Sequence, residues 1–240
     1  MGRYYFVWKG MDCRANGVQL SGPVPIIRPE ERVTHVEIPG RSGDLTQLEA
    51  DEDDPIYNSY IQTVQILVAG GYRVREIHKW LRGSGYVTFH GEPDRRQPAR
   101  VIGAITLSKH SLYSDWWVGE VQFYCQPLKE LLVEPTVTIS SSGSEVMNAG
   151  DVPEKPKITA TASGTSMTIT VGDRTLTLSD LTSGEDYVID CQICEVLSGD
   201  GTETLTQNSS GKFPKLMPGV NTITGTGWSS LVIDRRQRFL

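Results

Sequence analysis

Cys191 and Cys194 form the C-x-x-C pair of this sequence, a spacing that can serve redox chemistry or supply half of a zinc site. A redox pair needs the amino end of a helix to lower the pKa of one thiol. This motif instead continues the strand pattern of residues 187–190, and residues three apart on a strand point to opposite faces. We expect ordinary strand cysteines without a bound metal, in a protein that folds in a reducing cytoplasm.

Four histidines are the other residues that could bind a metal or serve catalysis, namely His35, His78, His90 and His110. They are scattered along the chain, with no H-E-x-x-H motif and no paired spacing. Cys125 or a serine could act as a nucleophile only with a base and an orienting acid, and no local signature of such a set is present. We therefore predict no catalytic, metal-binding or cofactor-binding residues, no cofactor, and a protein that is not an enzyme.

The acidic run Glu49–Pro55 offers carboxylates that could bind calcium. It lacks the alternating oxygen ligands and the central glycine of an EF-hand loop. A solvated hairpin tip is the simpler interpretation. Contact with a neighbouring subunit is its functional alternative.

The stretch IPGRSGDL leaves an apolar strand through a proline and places glycines on both sides of an arginine. Glycines at this spacing permit a backbone with positive φ. No helix follows the loop, which argues against a phosphate cradle. The pattern predicts a tight turn in which Gly40 and Gly43 present an exposed Arg41.

The charge distribution argues against nucleic acid and membranes as direct partners. Acidic and basic residues are interspersed and the net charge is −6, so no basic stripe marks a nucleic-acid surface. No apolar run reaches the roughly 18 to 20 residues that a bilayer span needs. The apolar run before Lys9 is shorter than a signal-peptide core. We expect neither membrane insertion nor secretion.

Strand patterns dominate the chain that positions these residues. Alternating apolar and polar residues recur in YYFVW, RVTHVEI, YIQTVQILV, GYVTF, ARVIGAITL and WWVGEVQFYC, with Gly, Pro, Asp and Ser between them. One segment has helical spacing instead, with Val74, Ile77, Trp80 and Leu81 on one face and Gly83 placed to end the helix. The sequence predicts a mainly β fold with one short α-helix.

The composition changes after the segment CQPLKELLVEP, where aromatic residues and arginine become scarce while Thr, Ser and Gly rise. A second series of strands follows, with closely spaced turns that are typical of an antiparallel sandwich or jelly roll. We predict two domains, residues 1–134 and residues 135–240.

Several short stretches follow one another along the chain, and their order is more specific than any single stretch. They are IPGRSGDL, IHKWLRGSGYVTF with EPDRRQPARV, EVQFYCQPL, NAGDVPEKPKI, and GKFPKLMPGVNTIT with a terminal LVIDRRQRF strand. In this order they resemble the distal tail protein family of long-tailed, non-contractile phages, the adaptor between tail tube and tail tip. The resemblance covers nearly the whole chain.

The resemblance implies an N-terminal β-sandwich or barrel-like domain with the helix, which assembles into a homo-hexameric ring coaxial with the tail tube. It also implies a C-terminal galectin-like antiparallel β-sandwich outside that ring. The protein would be a structural virion component at the distal end of the phage tail, made in the host bacterial cytoplasm. Its partners would be the tail tube protein and a tail-tip protein resembling a tail-associated lysin.

In such a ring we expect Gly40, Arg41 and Gly43 at the contact between subunits. A ring needs interfaces that join different surfaces of identical subunits and close on themselves. Such interfaces tolerate polar contacts made by loops. The turn in IPGRSGDL is the best-defined loop of this kind in the N-terminal half.

The alternative function is a carbohydrate-binding module that contacts the host surface through the C-terminal sandwich. Members of the family that grip host glycans often carry long inserts there, whereas the strands from Lys157 to Arg235 are joined by short turns. A fold by itself does not bring sugar binding. Trp228, in a glycine-rich turn, is the plausible stacking platform, without a visible polar set around it.

The stretch NAGDVPEKP could be a flexible linker, the entrance of a binding site, or a joint that holds two domains at a fixed angle. Pro153 and Pro156 fix φ and favour extended neighbours, which makes the segment stiff. Asn148 and Gly150 supply a turn. No phosphate, metal or sugar chemistry gathers there. We predict an interdomain joint, with Glu154 and Lys155 on its solvent side.

Overall fold

A computed structural model describes residues 3–48 and 55–240. Contacts divide the chain into two units, of which the first runs to Leu132 and includes Leu240, and the second is Val133–Phe239. Most of the acidic run predicted as a hairpin tip, residues 49–54, lies outside the described residues. Each unit is described separately below.

The described part of the first unit contains a series of strands and an α-helix. Their bounds are β1 (Phe6–Trp8), β2 (Met11–Asp12), β3 (Val18–Leu20), β4 (Val33–Glu37), β5 (Asp44–Leu48), β6 (Tyr60–Ala69), α1 (Val74–Trp80), β7 (Ser84–Phe89), β8 (Arg95–Ile102), β9 (Leu107–Lys109), β10 (Trp116–Cys125) and β11 (Lys129–Leu131). Short 3₁₀ turns lie at Cys13–Asn16 and Gly71–Arg73.

Most of these strands form one antiparallel sheet in the order β2-β1-β7-β8-β10-β6-β3, with β9 beside β10 and β11 beside β8. β6 and β10 pair along their whole lengths, from Trp116 opposite Ala69 to Cys125 opposite Tyr60. The alternation in YIQTVQILV matches this arrangement, because every second residue of β6 from Gln62 onward is buried while its neighbours face outward. The strands predicted from this pattern are present.

The helix α1 covers one face of this sheet. Ile77 and Leu81 are buried in the core, and the Trp80 ring stacks on Phe6 with ring centroids 5.7 Å apart. Phe123 lies between the rings of Phe6 and Trp8, at centroid distances of 5.4 and 5.3 Å. Such aromatic contacts add to the free energy gained by burying apolar area. The predicted short helix is confirmed, and it ends at Trp80.

The second unit begins a new series of strands. Their bounds are β12 (Val137–Ile139), β13 (Ser144–Asn148), β14 (Lys157–Ala162), β15 (Met167–Val171), β16 (Arg174–Leu178), β17 (Asp186–Asp190), β18 (Glu195–Ser198), β19 (Ser209–Gly211), β20 (Gly219–Thr226), β21 (Trp228–Asp234) and β22 (Arg238–Phe239). A 3₁₀ turn lies at Thr206–Asn208.

Strands β12 to β21 form an antiparallel sandwich. One sheet has the order β12-β21-β14-β17-β18 and the other the order β13-β20-β15-β16-β19. Each inner face is apolar because every second residue points inward, as in β15, where Met167, Ile169 and Val171 are buried. The predicted mainly β fold with a C-terminal β-sandwich is confirmed.

The turn between β20 and β21 requires glycine at Gly227. Its φ is +79°, and a Cβ built there would lie 2.0 Å from the carbonyl oxygen of Ser166. Any side chain would therefore strain the backbone and collide with the neighbouring loop. This glycine fixes where β21 begins.

We predict that Phe123→Ala lowers the free energy of unfolding of the first unit by about 3 to 5 kcal/mol, because the vacated volume lies between several packed rings. Tyr124→Ala is the matched control, since the neighbouring Tyr124 is 41% exposed on the opposite face of the same strand and should cost much less. Urea denaturation of both variants measures this difference. Equal losses would show that Phe123 does not organise the core.

Candidate functional site

The residues of IPGRSGDL lie at the end of a two-stranded ribbon that we call the arm, made of β4, β5 and the turn between them. β4 and β5 pair with each other in a separate sheet, from Val33 opposite Leu48 to Glu37 opposite Asp44. At the base of the arm, the Arg32 amide donates to the Ile56 carbonyl at 2.7 Å. The arm is thus held by backbone hydrogen bonds along its length.

The predicted turn is present at the tip of the arm. Gly40 and Gly43 have φ of +82° and +83°, so both glycines supply the backbone conformation that the sequence predicts. The Arg41 amide donates to the Ile38 carbonyl at 3.1 Å. Arg41 is exposed, and its guanidinium has no ion-pair or hydrogen-bond partner within residues 3–48 and 55–240. An inter-subunit role for the turn stays a prediction.

The arm carries apolar side chains that its own two strands do not bury. Val36 lies opposite Leu45, and these residues are 40% and 47% exposed. Ile38, at the start of the turn, is 40% exposed. A lone two-stranded hairpin is only marginally stable in water. The arm therefore leaves apolar area exposed that its own two strands do not cover.

The tip of the arm also forms an open depression of about 380 Å³, lined by Glu37, Ile38, Pro39, Arg41, Gly43 and Asp44. His35 Nδ1 lies 3.7 Å from an Asp44 carboxylate oxygen on one side of it. The lining brings a cation and two carboxylates to a solvent-facing surface. Such a mixed lining suits polar contacts at a protein interface.

A second exposed apolar surface was not predicted from the sequence. Leu112 and Tyr113, in the loop between β9 and β10, are 86% and 101% exposed. Asp115 fixes this loop, since its carbonyl accepts from the Gly70 amide at 2.9 Å and its carboxylate from the Gly71 amide at 3.3 Å. The signal in the sequence was the pair of large apolar residues in HSLYSD, which strand patterning alone does not single out.

The predicted joint residues lie inside the second unit, in a loop stabilised by Asn148. This residue is 1% exposed. Its side-chain amide donates to the carbonyls of Val152 and Leu216, each at 3.1 Å, and its oxygen accepts from the Gly150 amide at 2.8 Å. The turn at Asn148 and Gly150 is present and its polar groups are paired. A role as an interdomain joint stays a prediction.

The solvent-side position predicted for Glu154 is wrong, because this residue is 2% exposed, whereas Lys155 is exposed as predicted. Its backbone pairs with Leu216 in an isolated bridge, with N to O distances of 2.8 and 2.9 Å. Its carboxylate accepts from the Arg238 amide. A backbone donor that lies far away in the sequence therefore makes burial of this carboxylate possible.

Trp228, the predicted glycan platform, belongs to the sandwich core. It begins β21, and does not lie in the glycine-rich turn where the sequence placed it. Its side chain is 9% exposed and its indole nitrogen donates to the Thr168 carbonyl at 3.2 Å. A ring held in this way does not offer a face for stacking on a sugar, so the structure corrects this prediction.

The C-x-x-C residues were predicted to lie in a strand, but they lie in a turn. The Asp190 carboxylate accepts from the Gln192 amide at 3.0 Å, and Cys194 has a positive φ of 57°. Together these features turn the chain from β17 to β18. Cys191 is buried and Cys194 is exposed. Burial raises the pKa of the Cys191 thiol to about 12, which leaves it protonated and unreactive at neutral pH.

The other residues considered for chemistry are dispersed. His35 lies in β4, His78 in α1, and His90 and His110 directly after β7 and β9. Burial raises the pKa of the Cys125 thiol to about 12. Among the described residues, no group of three or more His, Cys, Asp or Glu side chains is placed to hold a metal. No helix in the described parts of the chain is long and apolar enough to cross a membrane.

Comparison with known proteins bears on the fold. The solved crystal structure of SPP1 Dit (gp 19.1), described as a paradigm of hub adsorption apparatus in Gram-positive infecting phages, matches the chain with a TM-score of 0.77. The match covers 99% of this chain and 99% of that chain at 19% identity. This chain has the fold of that hub protein. No protein-family model and no curated protein matches it.

We predict that Asn148→Asp destabilises the second unit by about 3 kcal/mol, because a carboxylate would replace two donors and face two carbonyl oxygens in a buried site. Asn208→Asp in the 3₁₀ turn at residues 206–208 is the matched control, and it should change stability by less than about 0.5 kcal/mol. Thermal unfolding measures both effects. If Asn148→Asp lowers the free energy of unfolding no more than the control does, Asn148 is not the residue that stabilises the loop.

We predict that acid destabilises the second unit partly through Asp190. A bidentate hydrogen bond from Arg236, at 2.8 and 2.7 Å, lowers the pKa of Asp190 below its ordinary value of 3.8. The carboxylate therefore contributes stability above pH 3.8, and this contribution is lost as pH falls through the lowered pKa. Asp190→Asn should unfold with a shallower acid dependence in urea titrations. A variant with the slope of the wild type would contradict this assignment.

Proposed function

We propose that the chain is a structural protein of a phage tail, a distal tail protein that forms a hub between tail tube and tail tip. The observation that carries the proposal is the match of the whole chain to the SPP1 Dit hub, which spans both units and 99% of each chain. A match of this extent supports more than a shared domain, since it covers both units of this chain. The stretches that resemble distal tail proteins point in the same direction.

We propose that copies of the chain assemble as a homo-hexameric ring and that the arm supplies part of the contact between subunits. The exposed pair Val36 and Leu45 on the arm needs a covering surface. Arg41, without a partner in the described part of its own chain, is available for a carboxylate of a neighbour. A contact between the arm and a different surface of the next copy is heterologous, which is the kind that closes into a ring.

Within the virion, this hub would lie at the distal end of the tail after synthesis in the bacterial cytoplasm. Its partners would be the tail tube protein on one side and a tail-tip protein on the other. The role is that of a connector and not of an enzyme. The buried, protonated thiols of Cys125 and Cys191 are in keeping with that role.

The loop around Asn148 has a place in this proposal. Pro153 and Pro156 restrict its backbone, and the paired side chain of Asn148 fixes its path. We propose that the loop keeps one end of the second unit rigid, as a joint in a connector requires. The buried Trp228 gives no support to a glycan-binding role.

We predict that Arg41→Glu lowers the yield of rings without unfolding the subunit, because it reverses the charge at the tip of the arm. Val36→Asp should act in the same direction by placing a carboxylate in a surface that assembly would bury. Negative-stain imaging and size-exclusion chromatography with light scattering measure the rings, for the protein alone and mixed with its tail-tip partner. Circular dichroism checks the fold of each variant.

Lys212→Glu is the matched control, since Lys212 is an exposed cation of the second unit whose reversal leaves the arm unchanged. If Arg41→Glu forms rings as well as this control does, Arg41 does not lie at the interface between subunits. A wild-type protein that forms no ring, alone or with its partners, would contradict the proposed function itself.

A further inference from the structure

The second unit contains two segments at its ends, and they lie side by side. Residues 133–135 lead into the unit and residues 235–239 lead out of it. One terminal nitrogen of Arg235 donates to the Pro135 carbonyl at 3.2 Å. In addition, the Glu134 carboxylate accepts from the Gln237 amide at 2.9 Å. We call Glu134, Pro135, Arg235 and Gln237 the neck.

The neck excludes water from its charged groups. Arg235 Nε lies 3.6 Å from the other carboxylate oxygen of Glu134, and each of these two side chains is only 13% exposed. Gln237 is 3% exposed. Hydrogen bonds that involve a charged group are stronger than neutral ones, and they are stronger still where water is excluded. A single carboxylate thus engages two residues of the outgoing segment.

The outgoing segment is also bonded to the body of the sandwich. Arg235 and Gln237 both donate to the carbonyl of Met147, the residue before Asn148 in β13, at 3.1 and 3.2 Å. The next amide along, that of Arg238, donates to the buried Glu154 carboxylate. Carboxylates from two different segments therefore accept from consecutive amides of the outgoing segment.

We propose that Glu134 is a positioning residue that ties the incoming segment of the second unit to the outgoing one, so that the incoming segment does not open alone. The incoming segment exposes its apolar side chains, since Val133 is 83% exposed and Leu132, before it, is 46% exposed, and the Leu132 amide donates to the Asp94 carbonyl at 2.9 Å. Without the carboxylate, the incoming segment would open by local unfolding while the outgoing segment keeps its bonds to Met147 and Glu154 and the sandwich core stays folded. This role is independent of ring assembly.

The test is native-state proteolysis with thermolysin, which cuts before large apolar residues and has exposed targets at Leu132 and Val133. Glu134→Ala should speed cleavage there by about tenfold or more, which corresponds to the loss of one hydrogen bond to a charged group. Glu134→Gln retains an acceptor for the Gln237 amide but loses the ion pair, and it should lie between wild type and Glu134→Ala. Mass spectrometry identifies the cut site.

The decisive comparison uses two neighbouring arginines of the outgoing segment. Arg235→Ala should speed cleavage at residues 132 and 133, although it lies about a hundred residues away in the sequence. Arg236→Ala is the matched control, because Arg236 bonds Asp190 and Gln192 and no residue of the incoming segment within the described chain. Its cleavage rate at Leu132 and Val133 should match that of the wild type.

Hydrogen exchange provides a second measurement in the same full-length variants. Glu134→Ala should increase exchange of the Gln237 amide and leave the amides of the core strand β15 protected. Equal cleavage rates for the wild type, Glu134→Ala and Arg235→Ala would overturn the proposal. Equal acceleration by Arg235→Ala and Arg236→Ala would do so as well, since it would indicate a general loss of stability.

Discussion

Each apolar strand face must be covered by something, and the rest of this structure depends on that constraint. In the first unit, α1 brings Ile77 and Trp80 onto the sheet beside Phe6 and Phe123. In the second unit, two sheets cover each other. On the arm, the pair Val36 and Leu45 remains exposed. In the ring that we propose, a neighbouring copy covers this pair, and the burial of this apolar area would link the fold to assembly.

Periodicity in the sequence predicted most of the strands and the helix, because alternation and helical spacing record which side of an element is buried. The turn at Gly40 and Gly43 was also predictable, since positive φ favours glycine. The cysteine pair was misplaced in a strand, because the Asp190 side chain turns the chain by bonding the Gln192 amide. A side chain that bonds a nearby backbone amide competes with strand pairing for that amide, and the apolar pattern of the sequence does not show this.

Sequence patterns could not predict the burial or the bonding partners of residues that contact distant parts of the chain. The buried Glu154 carboxylate accepts a hydrogen bond from the amide of Arg238. Trp228 packs in the sandwich core and donates to the Thr168 carbonyl. The same holds for the neck, where Glu134 meets Gln237 across about a hundred residues. Such contacts follow from topology. The resemblance to distal tail proteins suggested the topology but not these pairs.

We propose that this chain forms the hub ring of a phage tail, with the arm at the contact between subunits. Imaging of the purified protein mixed with its tail-tip partner, followed by averaging of the particles, tests it most directly. We expect rings of six copies, in which the arm of each copy lies against the next. Particles that contain single copies under all conditions, or rings in which the arms contact no neighbour, would contradict it.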